Sequence, residues 1–188
     1  MTSLVNKPLQ ELELDGAWPD DYVAKNFRLS ELYRSTIAAR RGIDNSLPGN
    51  SELRSAVCLA REVLQPVRDR FGSFTPESVY RGQELERALK RKPWNWVSRS
   101  QHTRGEAADF EVPGVPTVDL AKWCEANLPV WDQLICECYD PREGPNSGWL
   151  HVSLKRPGTG VNRREVLSYV RLIPGGRFEY VQGIRETV

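Results

Sequence analysis

The chain has two histidines among its 188 residues, His102 and His151, and both have neighbours suited to chemistry. The first stands in Ser100-Gln101-His102-Thr103-Arg104-Gly105-Glu106-Ala107-Ala108-Asp109. Gly105 permits a tight turn between a loop histidine and a following strand. On that strand, alternation sends Phe110 to the core and Asp109 to the opposite face. Ala107 and Ala108 are small enough to let a backbone or a substrate come close. The second histidine lies in Trp149-Leu150-His151-Val152-Ser153-Leu154, where Trp149, His151 and Ser153 share a face. Nitrogen and oxygen donors with one position left open are the ligand set of a catalytic metal. If the strands carrying Cys136 and His151 form a hairpin centred near Gly144, Glu137 falls opposite His151. A carboxylate placed beside an activated water can serve as a general base.

These side chains need elements to hold them. Phe27 to Arg41 reads as a helix, with Ser30 as N-cap, Glu31 in its first turn and Gly42 at its end. The loop GIDNSLPGNSE follows. Leu53, Val57, Ala60, Leu64, Val67 and Phe71 then recur at steps of three and four, the stripe of an amphipathic helix that stops at Gly72 and is disturbed by Pro66. Further on, Ser78–Arg81 reads as a short extended segment and Glu84–Lys92 as a polar helix. Ala107–Val112 reads as a strand and Val118–Leu128 as a helix. Asp132–Tyr139 and Trp149–Leu154 are strands around a turn-rich loop. Val166–Ile173 and Arg177–Val181 are a last pair joined by Pro174-Gly175-Gly176. With helices first and strands after, the fold class is α+β, a mainly antiparallel sheet flanked by N-terminal helices. Residues 1–26 form an irregular arm.

Bulk properties narrow the function. The formal net charge is +1, and the charges are mixed along the chain. No basic tract marks nucleic acid as a partner. No apolar run approaches the ~20 residues of a membrane span, and the N-terminus lacks the apolar core of a signal peptide. The product is expected to stay in the cytoplasm, to be released by lysis, or to travel on a larger particle. A chain of this length builds a core without staples, so a metal would serve chemistry rather than folding. The four cysteines, Cys58, Cys124, Cys136 and Cys138, include no C-x-x-C pair and are expected to be reduced thiols.

The pattern S-x-H-x-x-G-x-A-x-D followed by W-x-H-x-S, here SQHTRGEAAD and WLHVS, resembles the zinc D-alanyl-D-alanine carboxypeptidases and related phage endolysins. FRLSELYRS, VYRGQEL, DQLICE and NRREVL extend the likeness over roughly residues 26 to 172. The resemblance implies a fold shared with the hedgehog amino-terminal signalling domain, and a peptidase domain over residues 27–188. It also implies Zn2+ on His102, Asp109 and His151. It gives Arg81, in the Tyr-Arg motif, to the substrate carboxylate or carbonyl, which suits a forked guanidinium. The substrate implied is a peptidoglycan stem peptide or crossbridge, and a virion-associated enzyme would also meet phage particle proteins. Many relatives carry the catalytic acid three residues before the second histidine, where this chain has Gly148. Others carry it on the preceding strand, which points to Glu137, with Asp140 and Glu143 as rivals. A zinc-containing binding or assembly protein of the same fold is the alternative.

Overall fold

A computed structural model describes residues 4–173 and 175–186. The apolar stripe from Leu53 is buried at Leu53, Val57, Ala60, Leu64 and Val67. It runs through α2 (Asn50–Leu59) and α3 (Gln65–Phe71), joined by a π-helical turn at Ala60–Leu64. Pro66 explains that turn. Proline has no N–H to give the preceding turn, and its ring crowds the carbonyl there. One widened turn, with the Gln65 N–H reaching the Ala60 carbonyl, lets the helix resume with proline in its first turn.

The expected single helix over Phe27–Arg41 is three pieces. β2 (Phe27–Arg28) pairs with β1 (Tyr22–Ala24), a 3-10 turn covers Leu29–Leu32, and α1 spans Thr36–Arg41. The N-cap is Ser35, not Ser30: Ser35 Oγ accepts from the Ala38 N–H at 3.2 Å. Long-range bonds override the local helical tendency. The Leu29 N–H donates to the Asp21 carbonyl (2.9 Å), and the Leu32 carbonyl accepts from Tyr80 (2.8 Å). Gly42 closes α1 in the left-handed conformation, as expected. The N-terminal segment is tied to the helices. Leu12, Val23 and Ala24 are buried in the main core, and the Arg61 guanidinium donates to the carbonyls of Leu4, Lys7 and Val23.

α4 spans Gln83–Lys90 and α5 spans Thr117–Asn127. The sheet contains β3 (Ala107–Phe110), β4 (Gln133–Glu137), β5 (Trp149–Ser153), β6 (Glu165–Arg171) and β7 (Phe178–Gln182) in the order β3-β5-β4-β6-β7. Three pairings are antiparallel, but β4 and β6 run parallel. The sheet is therefore mixed, not antiparallel throughout. The chain leaving β5 crosses to the far side of β4 and enters β6 in the direction of β4. A fully buried Asp132 pins that crossing. It binds Arg163 (2.7 Å) and Lys155 (3.1 Å), and its carbonyl accepts from the Glu165 N–H (3.0 Å). Of the turn expected at Pro174-Gly175-Gly176, Pro174 lies outside the described residues.

Ala108, Phe110, Leu134, Leu150 and Val152 point to one face of the sheet and share a core with α2, α3 and α5. Asp109, Ile135, Glu137, Trp149 and His151 alternate to the other face. α2, α3 and α5 thus cover one side, and the chemistry-bearing residues occupy the other.

Candidate metal centre

The pairing of β3 with β5 sets Asp109 directly opposite His151, and Asp109 Oδ1 lies 2.8 Å from His151 Nδ1. His102 comes from the 3-10 turn Gln101–Arg104, which leads into β3. Gly105 ends that turn with φ +67° and packs on α2, where an added Cβ would stand 2.8 Å from the Glu52 carbonyl. His102 Nε2 is thereby placed 3.2 Å from Asp109 Oδ1 and 3.3 Å from His151 Nδ1. The three residues are buried, and their ligand atoms lie within 4.8 Å of one another.

The donor chemistry fits a cation. His102 Nδ1 is 2.8 Å from the Val79 carbonyl, and a carbonyl only accepts. Nδ1 therefore carries the proton. Burial holds the His102 pKa below its usual value, against the pull of Asp109, and with Nδ1 committed to Val79 the ring presents Nε2 to Asp109 Oδ1. Burial alone would raise Asp109, but charge and hydrogen bonding at His102 and His151 outweigh it and hold the carboxyl well below its usual range. Two ring nitrogens and a carboxylate oxygen that converge within 4.8 Å make a ligand set that one metal ion could share.

Behind the ligands stands a buried charge relay. Asp109 Oδ2 accepts from Arg81 (3.0 Å), and Arg81 Nε lies 2.7 Å from Glu86 Oε1. Glu86 has no solvent exposure and also accepts from Ser98 Oγ (2.7 Å) and Lys90 (2.5 Å). Burial opposes its ionisation, yet these donors pull its pKa below the usual value. Sequence reading had missed Glu86. Its one signal was the i,i+4 spacing to Lys90 on the helix just after Arg81. The Ser78–Arg81 segment is not a strand. It makes one bridge, Ser78 to Asp109, along the outer edge of β3.

Glu137 is the last residue of β4 and pairs with Trp149, while Ile135 stands opposite His151. The expected register was therefore two residues off. A two-residue shift preserves facing, so Glu137 still shares the face of His151. It lines a cleft of about 620 Å³ with His102, Asp109, His151 and Arg81. Burial raises its pKa, with the Asp109 charge adding and His151 and Arg81 opposing. Asp140 and Glu143 are not among the cleft-lining residues. The Asp140 carboxylate is instead clamped by Arg142 Nε at 2.7 Å.

Gly148 has φ +69°, and a Cβ there would lie 2.1 Å from the Glu137 carbonyl oxygen. No acid can occupy that position in this backbone. Strand β4 stops at Glu137, two residues short of the expected Tyr139, and Cys138 turns to φ +58°. All four cysteines are free. Burial pushes the Cys58 thiol up to about 11 and Cys136 to about 12, and the group of converging ligand atoms contains no cysteine. Trp94 is 87% exposed, and neither it nor Trp96 lines the cleft.

The sequence model of the peptidase M15 family matches residues 25–138. That stretch carries Arg81, His102, Asp109 and Glu137, and His151 follows on β5. No curated protein and no solved structure matches the chain.

Proposed function

This chain belongs to the peptidase M15 family, and from that premise we propose that it is a zinc peptidase acting on bacterial peptidoglycan stem peptides or crossbridges. The observation that carries the reading is the convergence of His102 Nε2, Asp109 Oδ1 and His151 Nδ1 in one cleft with Glu137. Those three residues would hold the ion. Zinc held there would supply Lewis acidity, polarising the scissile carbonyl and lowering the pKa of the attacking water toward ~7.

The remaining work falls to the chain's own groups. Glu137, whose pKa is raised by burial, takes a proton from the attacking water and delivers it to the leaving amine. Arg81 fixes Asp109 through one arm of its guanidinium and offers its remaining N–H donors to a substrate carbonyl. The closed Val79–His102 bond keeps Nε2 aimed at the site. We extend the proposal to a lytic or virion-associated phage enzyme on the likeness of SQHTRGEAAD and WLHVS to endolysin motifs.

The test is mass spectrometry of purified sacculi incubated with zinc-loaded protein. New peptide ends, absent with His151→Ala, are the expected result. Sacculi that bind the zinc-loaded protein but release nothing would make it a binding protein. Elemental analysis should find about one zinc per chain, and full zinc in His151→Ala would remove His151 from the site.

A further inference from the structure

Resting on the zinc peptidase reading, we infer that Glu86 is a positioning residue. Acting through Arg81, it divides the Asp109 carboxylate, so that one oxygen is kept for the ion and the other for the guanidinium. Glu86 is a costly residue for the fold. It lies on α4 with no solvent exposure. Ion pairing often fails to offset the desolvation of a buried charge, and an apolar side chain of similar size would commonly serve stability as well. Its use has to be sought in what it holds.

The pair that Glu86 makes with Arg81 is mutual. Arg81 Nε and Glu86 Oε1 stand 2.7 Å apart as a close ion pair. Both atoms are buried, and neither has a hydrogen-bond partner among the described residues, so each depends on the other. The second oxygen, Oε2, accepts from Ser98 Oγ at 2.7 Å and from Lys90 Nζ at 2.5 Å. Ser98 is itself strapped to α4. Its N–H donates to Gln83 Oε1 (2.8 Å), and its carbonyl accepts from Gln83 Nε2 (3.1 Å). With Oε2 committed in this way, Oε1 is left for Arg81.

Arg81 carries that order to the metal centre. Its backbone N–H donates to the His102 carbonyl (3.1 Å), and its Nη1 donates to Asp109 Oδ2 (3.0 Å). Asp109 Oδ1 is thereby left facing His102 Nε2 (3.2 Å) and His151 Nδ1 (2.8 Å). A guanidinium released by Glu86 would be free to pivot. Its fork of N–H donors matches both oxygens of one carboxylate. A bidentate grip on Asp109 would take Oδ1 from the ligand set. By holding Nε, Glu86 opposes that turn.

The test is the zinc affinity of full-length protein, measured by competition with a chelator and with folding checked by circular dichroism. Glu86→Gln keeps the size of the side chain and removes its charge. Disturbing a group that orients a metal ligand costs about 10- to 100-fold in affinity, so the folded variant should bind zinc at least about tenfold more weakly. Ser98→Ala leaves the charge pair in place but loosens Oε2, and should give a smaller loss in the same direction. Arg81→Ala separates positioning from a merely structural role. In that background Glu86→Gln should weaken zinc no further, because its effect runs through the guanidinium. Wild-type affinity in Glu86→Gln, or an equal loss with and without Arg81, would overturn the inference. If Glu86→Gln does not fold, wild-type affinity in Ser98→Ala would overturn it instead. Wild-type protein that takes up no zinc would overturn both this inference and the reading it rests on. Zinc-loaded wild-type protein that cleaves no sacculi would overturn the peptidase reading alone, since the affinities are measured without substrate.

Discussion

At the scale of single residues, the proton-transfer role has three candidates by sequence and one by geometry. Glu137 lines the cleft, whereas Asp140 is clamped by Arg142 and Glu143 is exposed. Glu137→Gln keeps the shape of the side chain and should leave zinc bound, but cannot accept a proton. The expected loss in kcat is about 100- to 10,000-fold, with Asp140→Asn and Glu143→Gln close to wild type. Retained activity in Glu137→Gln alongside its loss in either of the others would move the base. The convergence of His102, Asp109 and His151 was legible in the sequence because its signal is local: a glycine turn between His102 and Asp109, and alternation around His151. Glu86 was not legible, since only the folded chain brings its buried carboxylate to Arg81.

At the scale of elements, the β4–β5 hairpin depends on Gly148. Its backbone has φ +69° and passes so close to Glu137 that a Cβ would meet the carbonyl oxygen at 2.1 Å. Gly148→Ala should therefore force the hairpin apart. Overpacking costs about 1–3 kcal/mol, and the left-handed backbone adds about 1 kcal/mol. Calorimetry should show a lowered Tm, and turnover should fall because Glu137 moves. An unchanged Tm would mean that the loop shifts freely. The hairpin's existence was readable from two alternating runs around Pro141–Gly148. Its register was not, because a long loop does not specify which residues face each other. The helix expected over Phe27–Arg41 failed for a related reason. Its backbone groups bond to Asp21 and Tyr80, partners that no local pattern announces.

At the scale of the molecule, the crossing from β5 to β6 hangs on Asp132. Burial would raise its carboxyl, but bonds from Arg163 and Lys155 hold it down to about 2, below the ~3.9 of an unfolded chain. The folded state thus binds fewer protons than the unfolded state near pH 3. The stabilisation, about 2 kcal/mol, is fully present above pH ~4 and disappears as pH falls toward ~2. Asp132→Asn should lower Tm by roughly 4–8 °C at pH 7 and flatten the stability loss over that acid range. An equally steep acid loss in the variant would assign it to other carboxylates. The strand order has a further consequence, and it concerns time. β5 follows both β3 and β4 in the chain, yet lies between them. Asp109 and His151 face each other only once β5 has paired with β3, and such distant pairings form slowly. Ion capture is then a clock for completed folding. After dilution from denaturant into zinc and a coloured chelator, metal uptake and tryptophan fluorescence should follow one rate constant. Uptake that runs ahead of the fluorescence would mean that the ligands gather before the strand is in place.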